Sequence, residues 1–110
     1  MTNINVSDYE DLFFSTASDH LLAIEQQLKF RSLKKQVDLN EIFRRIHSLK
    51  GSASVMKHNN ISDLCDEISQ LIKRQSKSDL DSQQYDKLFQ LVIRLKNELL
   101  LGGDKFIKST

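Results

Sequence analysis

The sequence predicts an all-α protein, an antiparallel four-helix bundle whose helices run up, down, up and down. Apolar residues recur at intervals of three and four in four separate segments, which is the spacing of one face of an α-helix. The chain has no proline and only three glycines, so little interrupts these segments. Amphipathic helices joined by short polar connections pack most simply as antiparallel neighbours.

The first two helices are defined by their caps and by their apolar stripes. The first helix can be capped by Ser7 or Asp8 and is expected to end between Phe30 and Ser32. The second helix is expected to follow Asp38, its predicted N-cap. The stripe of the first comprises Leu12, Phe13, Thr16, Ala17, His20, Leu21, Ile24 and Leu28. The stripe of the second comprises Leu39, Ile42, Phe43, Ile46, Leu49, Ala53 and Met56.

A polar turn at residues 58–60 separates the second helix from the third, and a polar stretch at 73–79 separates the third from the fourth. The third stripe comprises Ile61, Leu64, Cys65, Ile68, Leu71 and Ile72. The fourth helix is expected to begin at Asp79 or Asp81, with a stripe of Tyr85, Leu88, Phe89, Val92, Leu95 and Leu99. Gly102 and Gly103 are expected to end it, leaving residues 102–110 as a tail or linker with at most one short extra helical turn.

Length and composition fit a single domain over residues 1–110 with its core at about 8–100. The 110 residues are 39% hydrophobic and 28% charged, which suits one small core. The net charge of +1 gives no general reason to expect a nucleic acid or an anionic membrane as partner. No apolar run approaches the roughly 18 residues of a membrane span. The single cysteine, Cys65, can form no internal disulfide framework. We expect a cytoplasmic monomer.

His47 is the candidate for chemistry because the wheel of the second helix places it away from the core. Taking 100° per residue, His47 lies about 120° from the centre of the apolar stripe. The residues predicted to share its face are Asn40, Arg44, Lys50, Gly51 and Ser54. No acidic residue occurs between Glu41 and Asp63, whereas four basic residues do, Arg44, Arg45, Lys50 and Lys57. The surface around His47 is therefore expected to be positive.

An exposed imidazole beside a lysine suits the transfer of a phosphoryl group. Unprotonated histidine is a nucleophile at neutral pH, and Lys50 can neutralise charge on the transferred group. Gly51 costs the helix about 1 kcal/mol relative to alanine, so we interpret it as giving a partner access to the imidazole. The small side chain of Ser48 likewise leaves the imidazole accessible to a partner. A metal site is not expected, because His47 has no histidine or carboxylate three or four residues later.

The run His47-Ser48-Leu49-Lys50-Gly51-Ser52 is similar to the His-x-x-Lys-Gly signature of histidine-containing phosphotransfer (HPt) domains, including those of phosphorelay and chemotaxis-type histidine kinases. The likeness covers about residues 8–100. It implies a helical bundle in which His47 takes a phosphoryl group from a kinase or a receiver-domain aspartate and passes it to another receiver domain. The chain has no phosphate-binding glycine loop and is too short to add a kinase domain, so we expect a carrier that is no enzyme on its own, either free-standing or part of a larger histidine kinase. No cofactor is expected in this chain, with Mg²⁺ supplied by the receiver domain.

Two functions stay open at this point. One is the phosphoryl carrier, and the other is a degenerate HPt domain that binds a response regulator or kinase as a helical adaptor without phosphotransfer. The presence of both His47 and Lys50 favours the carrier. The residues expected to contact a partner are Asn40, Arg44, Arg45, Ser48, Ser54 and Lys57. His20 and His58 are interpreted as ordinary polar surface residues. The chain departs from the family pattern in two places. Lys57 and His58 replace a glycine and a small or apolar residue that are common in relatives, and Asp66 and Ser69 replace a histidine and a glutamate of chemotaxis-type relatives.

Overall fold

The structure, a computed structural model, describes residues 6–73 and 79–109, with side chains described for residues 8–73 and 79–102. These residues form four helices, α1 (Val6–Ser32), α2 (Leu39–Val55), α3 (Asn59–Lys73) and α4 (Ser82–Ser109), and no strand occurs among them. Each helix packs against the next along the chain, and α1 also packs against α4. The predicted all-α four-helix bundle is confirmed.

Contacts between neighbouring helices show their antiparallel direction. Along the seam between α2 and α3, Lys50 contacts Asp66 and Ser54 contacts Ser62, so residue numbers rise on one helix as they fall on the other. Both pairs are centred on His58, because Lys50 and Asp66 each lie eight residues from it and Ser54 and Ser62 each lie four. A tight turn at this point therefore determines which residues of α2 and α3 face each other.

Side-chain caps begin two of the helices where the sequence predicts them. The carboxylate of Asp38 accepts a hydrogen bond from the backbone N–H of Glu41 at 3.1 Å, which identifies it as the N-cap of α2. At the start of α4, Asp81 accepts from the backbone N–H of Gln84, and the Gln84 side chain accepts from that of Asp81, both at 2.8 Å. This reciprocal pair is a capping box, which selects Asp81 over Asp79 as the start of α4.

Lysines in a left-handed conformation end α1 and α2. Lys34 has a φ of 57° and Lys57 a φ of 62°, and no glycine among the described residues has a positive φ. Past the end of α2, the N–H of His58 donates to the carbonyl of Ala53 at 2.8 Å and the N–H of Lys57 donates to that of Ser54 at 3.2 Å. These bonds form a Schellman motif, in which glycine is the usual residue at the left-handed position.

The core contains apolar residues from all four helices. Most members of the predicted stripes are buried. Those only partly buried against the core are Leu39, Phe43, Met56, Leu71 and Phe89, and Thr16 is exposed. The prediction that Leu12 is a core residue is wrong, because its exposed fraction is 65% whereas that of the adjacent Phe13 is 5%. Successive helical residues point about 100° apart, and at this level of α1 the core lies on the side of Phe13. Buried residues outside the predicted stripes are Val37, Leu80 and Leu91.

The prediction that Gly102 and Gly103 end the fourth helix is also wrong, since α4 continues to Ser109. A glycine costs a helix about 1 kcal/mol but leaves every backbone hydrogen bond in place, so two of them weaken a helix without stopping it. Gly102 also has a packing role. A Cβ at this position would lie 2.9 Å from Cζ of Phe14, so the glycine lets α4 approach α1 closely.

Candidate functional site

His47 lies in the middle of α2 with its side chain exposed, as the helical wheel predicts. Its neighbours Ile46 and Leu49 are almost completely buried and fix this part of α2 to the core. One turn earlier, the ring of Phe43 lies nearly parallel to the imidazole, with 6.2 Å between ring centroids and 13° between planes. Because Phe43 is itself partly buried against the core, it supports the imidazole from one side.

Lys50, one turn after His47, bridges α2 to α3. Its Nζ donates to Oδ1 of Asp66 at 2.6 Å, and the exposed fractions of the two side chains are 39% and 49%. Sequence reasoning missed this partner because Asp66 lies 16 residues away on another helix. The turn at His58 could have indicated this pairing, because Lys50 and Asp66 lie equally far from His58 along the sequence. Ser69, as far from that turn as His47, has a buried Oγ with no hydrogen-bond partner among the described residues.

The fold itself does not require a glycine at position 51. A Cβ built on Gly51 would meet nothing within 4 Å, and the backbone there is ordinary α-helix. The absent side chain therefore leaves open space on the protein surface next to the imidazole. Close helix packing therefore does not explain the glycine, whereas access of a partner to the imidazole is compatible with this geometry.

The positive charges around His47 are largely paired within the fold. Glu41 accepts from Nε of Arg45 at 2.8 Å and also from Nη2 of Arg44. The hydrogen bond from Arg45, assisted by the charges of both arginines, holds the pKa of the Glu41 carboxyl below its usual range although desolvation opposes this. Among the described residues, Lys57 has no ion-pair partner. The local positive field is thus weaker than a count of basic residues indicates.

The remaining predicted contact residues also lie on the surface of α2. Asn40, Ser48 and Ser54 are exposed, and Asn40 lies in the first turn, about two turns before His47. The hydroxyl of Ser54 lies 2.9 Å from that of Ser62 on α3, and the carbonyl of Ser48 accepts from Ser52 at 3.2 Å. These positions could meet a partner that covers the exposed face of α2.

The interpretation of His58 as an ordinary surface residue is wrong. Its ring stacks on Phe13 with 4.7 Å between centroids, and its Nε2 lies 3.0 Å from a carboxylate oxygen of Glu10. His58 therefore fastens the turn between α2 and α3 to α1. His20 is also half-buried, next to Arg45, and burial together with that positive charge lowers its pKa. His47 is the exposed one of the three histidines.

Three further features of the described residues concern metal binding, membrane insertion and the single cysteine. No group of three or more histidine, cysteine or acidic side chains there could hold a metal ion. None of the described helices is long and apolar enough to cross a membrane. Cys65 is buried, which raises the pKa of its thiol to about 12 against a smaller opposing effect of the Lys50 charge. At neutral pH this thiol is therefore protonated and unreactive.

A four-helix bundle that presents one exposed histidine on its second helix, followed one turn later by a lysine, defines a class of small helical domains with a single exposed imidazole. The family model of the Hpt domain matches residues 8–99, which is most of the chain. The chain therefore belongs to the Hpt domain family. Domains of this family are phosphoryl carriers that interact with receiver domains and kinases in phosphorelays. No curated protein and no solved structure matches the chain.

Proposed function

We propose that the chain is a histidine phosphotransfer domain of a two-component phosphorelay, which carries a phosphoryl group on His47 between a kinase or receiver-domain aspartate and another receiver-domain aspartate. The observation that supports this most directly is the exposure of His47 on α2 of an Hpt-family bundle, with Lys50 one turn away. His20 and His58 are half-buried and already hold contacts within the bundle. Neither offers a partner the same access.

The proposed chemical step follows from the nucleophilicity of imidazole. The lone pair of an unprotonated ring nitrogen of His47 forms a P–N bond as the P–O bond to the donor aspartate breaks. The aspartate leaves as a carboxylate with the electron pair, and the proton on the other ring nitrogen passes to solvent. The transition state of such a transfer is loose, so positioning and positive charge matter more than covalent assistance.

The neighbours of His47 then have distinct roles in this proposal. Phe43 holds the plane of the imidazole, and Lys50 provides positive charge against the transferred group. Gly51 leaves the space that a receiver domain needs to close over the imidazole. Asn40, Arg44, Arg45, Ser48, Ser54 and Lys57 form the surrounding contact surface. The receiver domain brings the Mg²⁺, and this chain contributes no cofactor.

The direct test is phosphotransfer from a phosphorylated receiver domain in the presence of Mg²⁺. We expect label on one histidine, as an acid-labile and base-stable phosphoramidate, and we expect His47→Gln to abolish it. His20→Gln and His58→Gln are the matched controls and should keep the label wherever they remain folded. Label that persists in His47→Gln would show that another residue is modified. A receiver domain that binds the chain without labelling it would indicate the adaptor function instead.

Salt dependence tests whether basic residues steer the encounter. Electrostatically assisted association slows as ionic strength rises, because salt screens charges beyond about 10 Å at 0.1 M. Since Glu41 and Asp66 already pair three of the four basic side chains, we expect a modest decrease in the transfer rate with salt. A rate that does not change with ionic strength would assign these residues to the structure of the bundle alone.

A further inference from the structure

The ion pair between Lys50 and Asp66 places an acidic group in competition for the lysine nearest to His47. The Nζ to Oδ1 distance of 2.6 Å is that of a strong charge-assisted hydrogen bond. The carboxylate of Asp66 has one negative charge, whereas a phosphoryl group on His47 would have up to two. The same ammonium therefore has two possible partners, one present in the resting protein and one present only after phosphorylation.

The pair is exposed enough for this exchange of partners. Both side chains are between a third and a half exposed, so the ammonium can move without leaving a buried carboxylate unsolvated. The backbones on both sides are fixed, since Leu49 on α2 and Cys65 and Ile68 on α3 are completely or almost completely buried. A change in the Asp66 side chain should therefore alter the position of the Lys50 charge and leave the helix seam in place.

We propose that Asp66 is a positioning residue that acts through Lys50. It holds the lysine on the α2–α3 seam while His47 is unmodified and yields it to the phosphoryl group when His47 is phosphorylated. The inference rests on the proposed function, because it assumes phosphorylation of His47. Its consequence is that Asp66 slows the loading of His47 and weakens the retention of the phosphoryl group, since it competes for the compensating charge.

Phosphoramidate is a suitable probe because it removes the need for an identified donor. In this reaction the imidazole nitrogen forms its P–N bond as the P–N bond of phosphoramidate breaks, and ammonia leaves with the proton that the imidazole gives up. We expect Asp66→Asn to be labelled roughly two- to fivefold faster than the parent chain, the size of effect that a half-exposed ion pair can exert. Lys50→Ala should be labelled more slowly than the parent.

Three variants separate this role from a general effect of charge or stability. Glu25→Gln breaks a comparably exposed ion pair with Lys96 between α1 and α4, and it should keep the parent rate. Asp66→Glu retains the carboxylate and should stay near the parent rate. The double variant of Asp66→Asn with Lys50→Ala should be no faster than Lys50→Ala alone, because the effect of Asp66 passes through the lysine.

The Nζ resonance of Lys50 in a ¹⁵N NMR spectrum reports the exchange of partners directly. We expect it to shift on phosphorylation of the parent chain, and to be already shifted in unphosphorylated Asp66→Asn. An unchanged or slower labelling rate in Asp66→Asn overturns the inference, as does an acceleration that survives in the double variant or appears equally in Asp66→Glu. A parent chain that takes no label on His47 contradicts the proposed function itself.

Discussion

At the scale of single residues, two helical glycines have opposite surroundings and should respond oppositely to an added methyl group. A Cβ on Gly51 meets open space, so Gly51→Ala should raise the free energy of unfolding by up to about 1 kcal/mol. A Cβ on Gly102 would lie 2.9 Å from Phe14, so Gly102→Ala should give no such gain. Urea unfolding of both variants measures the difference. A destabilised Gly51→Ala would mean that α2 needs the glycine for its own structure.

Substitutions at Gly51 also separate an effect on folding from an effect on access to the imidazole of His47. Gly51→Gln should leave the bundle folded, since its side chain extends into solvent, but it should crowd His47 and slow transfer from a receiver domain. Transfer rates and thermal stability are measured together on the parent chain, Gly51→Ala and Gly51→Gln. If Gly51→Gln transfers as fast as the parent, access does not explain the glycine.

At the scale of elements, the end of α2 has a residue with a strained backbone. Lys57 has a φ of 62°, a conformation that costs a non-glycine residue about 1 kcal/mol. Lys57→Gly should therefore stabilise the protein by up to about 1 kcal/mol, as should Lys34→Gly at the equivalent end of α1. Only Lys57→Gly should slow transfer, because only Lys57 belongs to the proposed contact surface. Equal transfer by the two variants would remove Lys57 from that surface.

The start of α4 contains a phenol whose ionisation opposes folding. Burial of Tyr85 and the 2.6 Å hydrogen bond from its hydroxyl to Asp79 raise its pKa, burial being the larger cause. The folded state thus favours the protonated phenol, and the stability from this preference is present below the unfolded pKa of about 10 and lost as pH rises above it. Between pH 8 and 11, the unfolding free energy of Tyr85→Phe should decrease less than that of the parent. Parallel curves would show that the phenol does not contribute.

At the scale of the whole molecule, burial determines what each apolar residue contributes to stability. Ile46 has an exposed fraction of 0%, so Ile46→Ala should cost about 2–5 kcal/mol. Leu12 is 65% exposed, so Leu12→Ala should change stability by less than about 0.5 kcal/mol. Phe43 is only partly buried, so Phe43→Ala should cost less than the roughly 3–5 kcal/mol lost when a fully buried phenylalanine is replaced by alanine. Chemical denaturation of the three alanine variants measures these differences in the free energy of unfolding. A large loss of stability in Leu12→Ala would contradict the packing described.

The sequence by itself determined the four-helix bundle, most of its core and the exposure of His47. These are consequences of periodicity along one helix, where a residue's neighbours in sequence decide which face it occupies. The cap at Asp38 was predictable for the same reason, because a cap bonds to residues only three positions away, and the start of α4 was narrowed to Asp79 or Asp81.

Only the tertiary structure decided which partners the polar residues have. Asp66 lies 16 residues from Lys50, and Glu10 lies 48 from His58, so neither pair follows from the periodicity of a single helix. The choice of Phe13 over Leu12 for the core and the continuation of α4 through Gly102 likewise depend on how closely α1 and α4 approach other helices. Such contacts depend on the relative placement of whole helices, which local spacing does not define, and in this protein they set the charge beside His47.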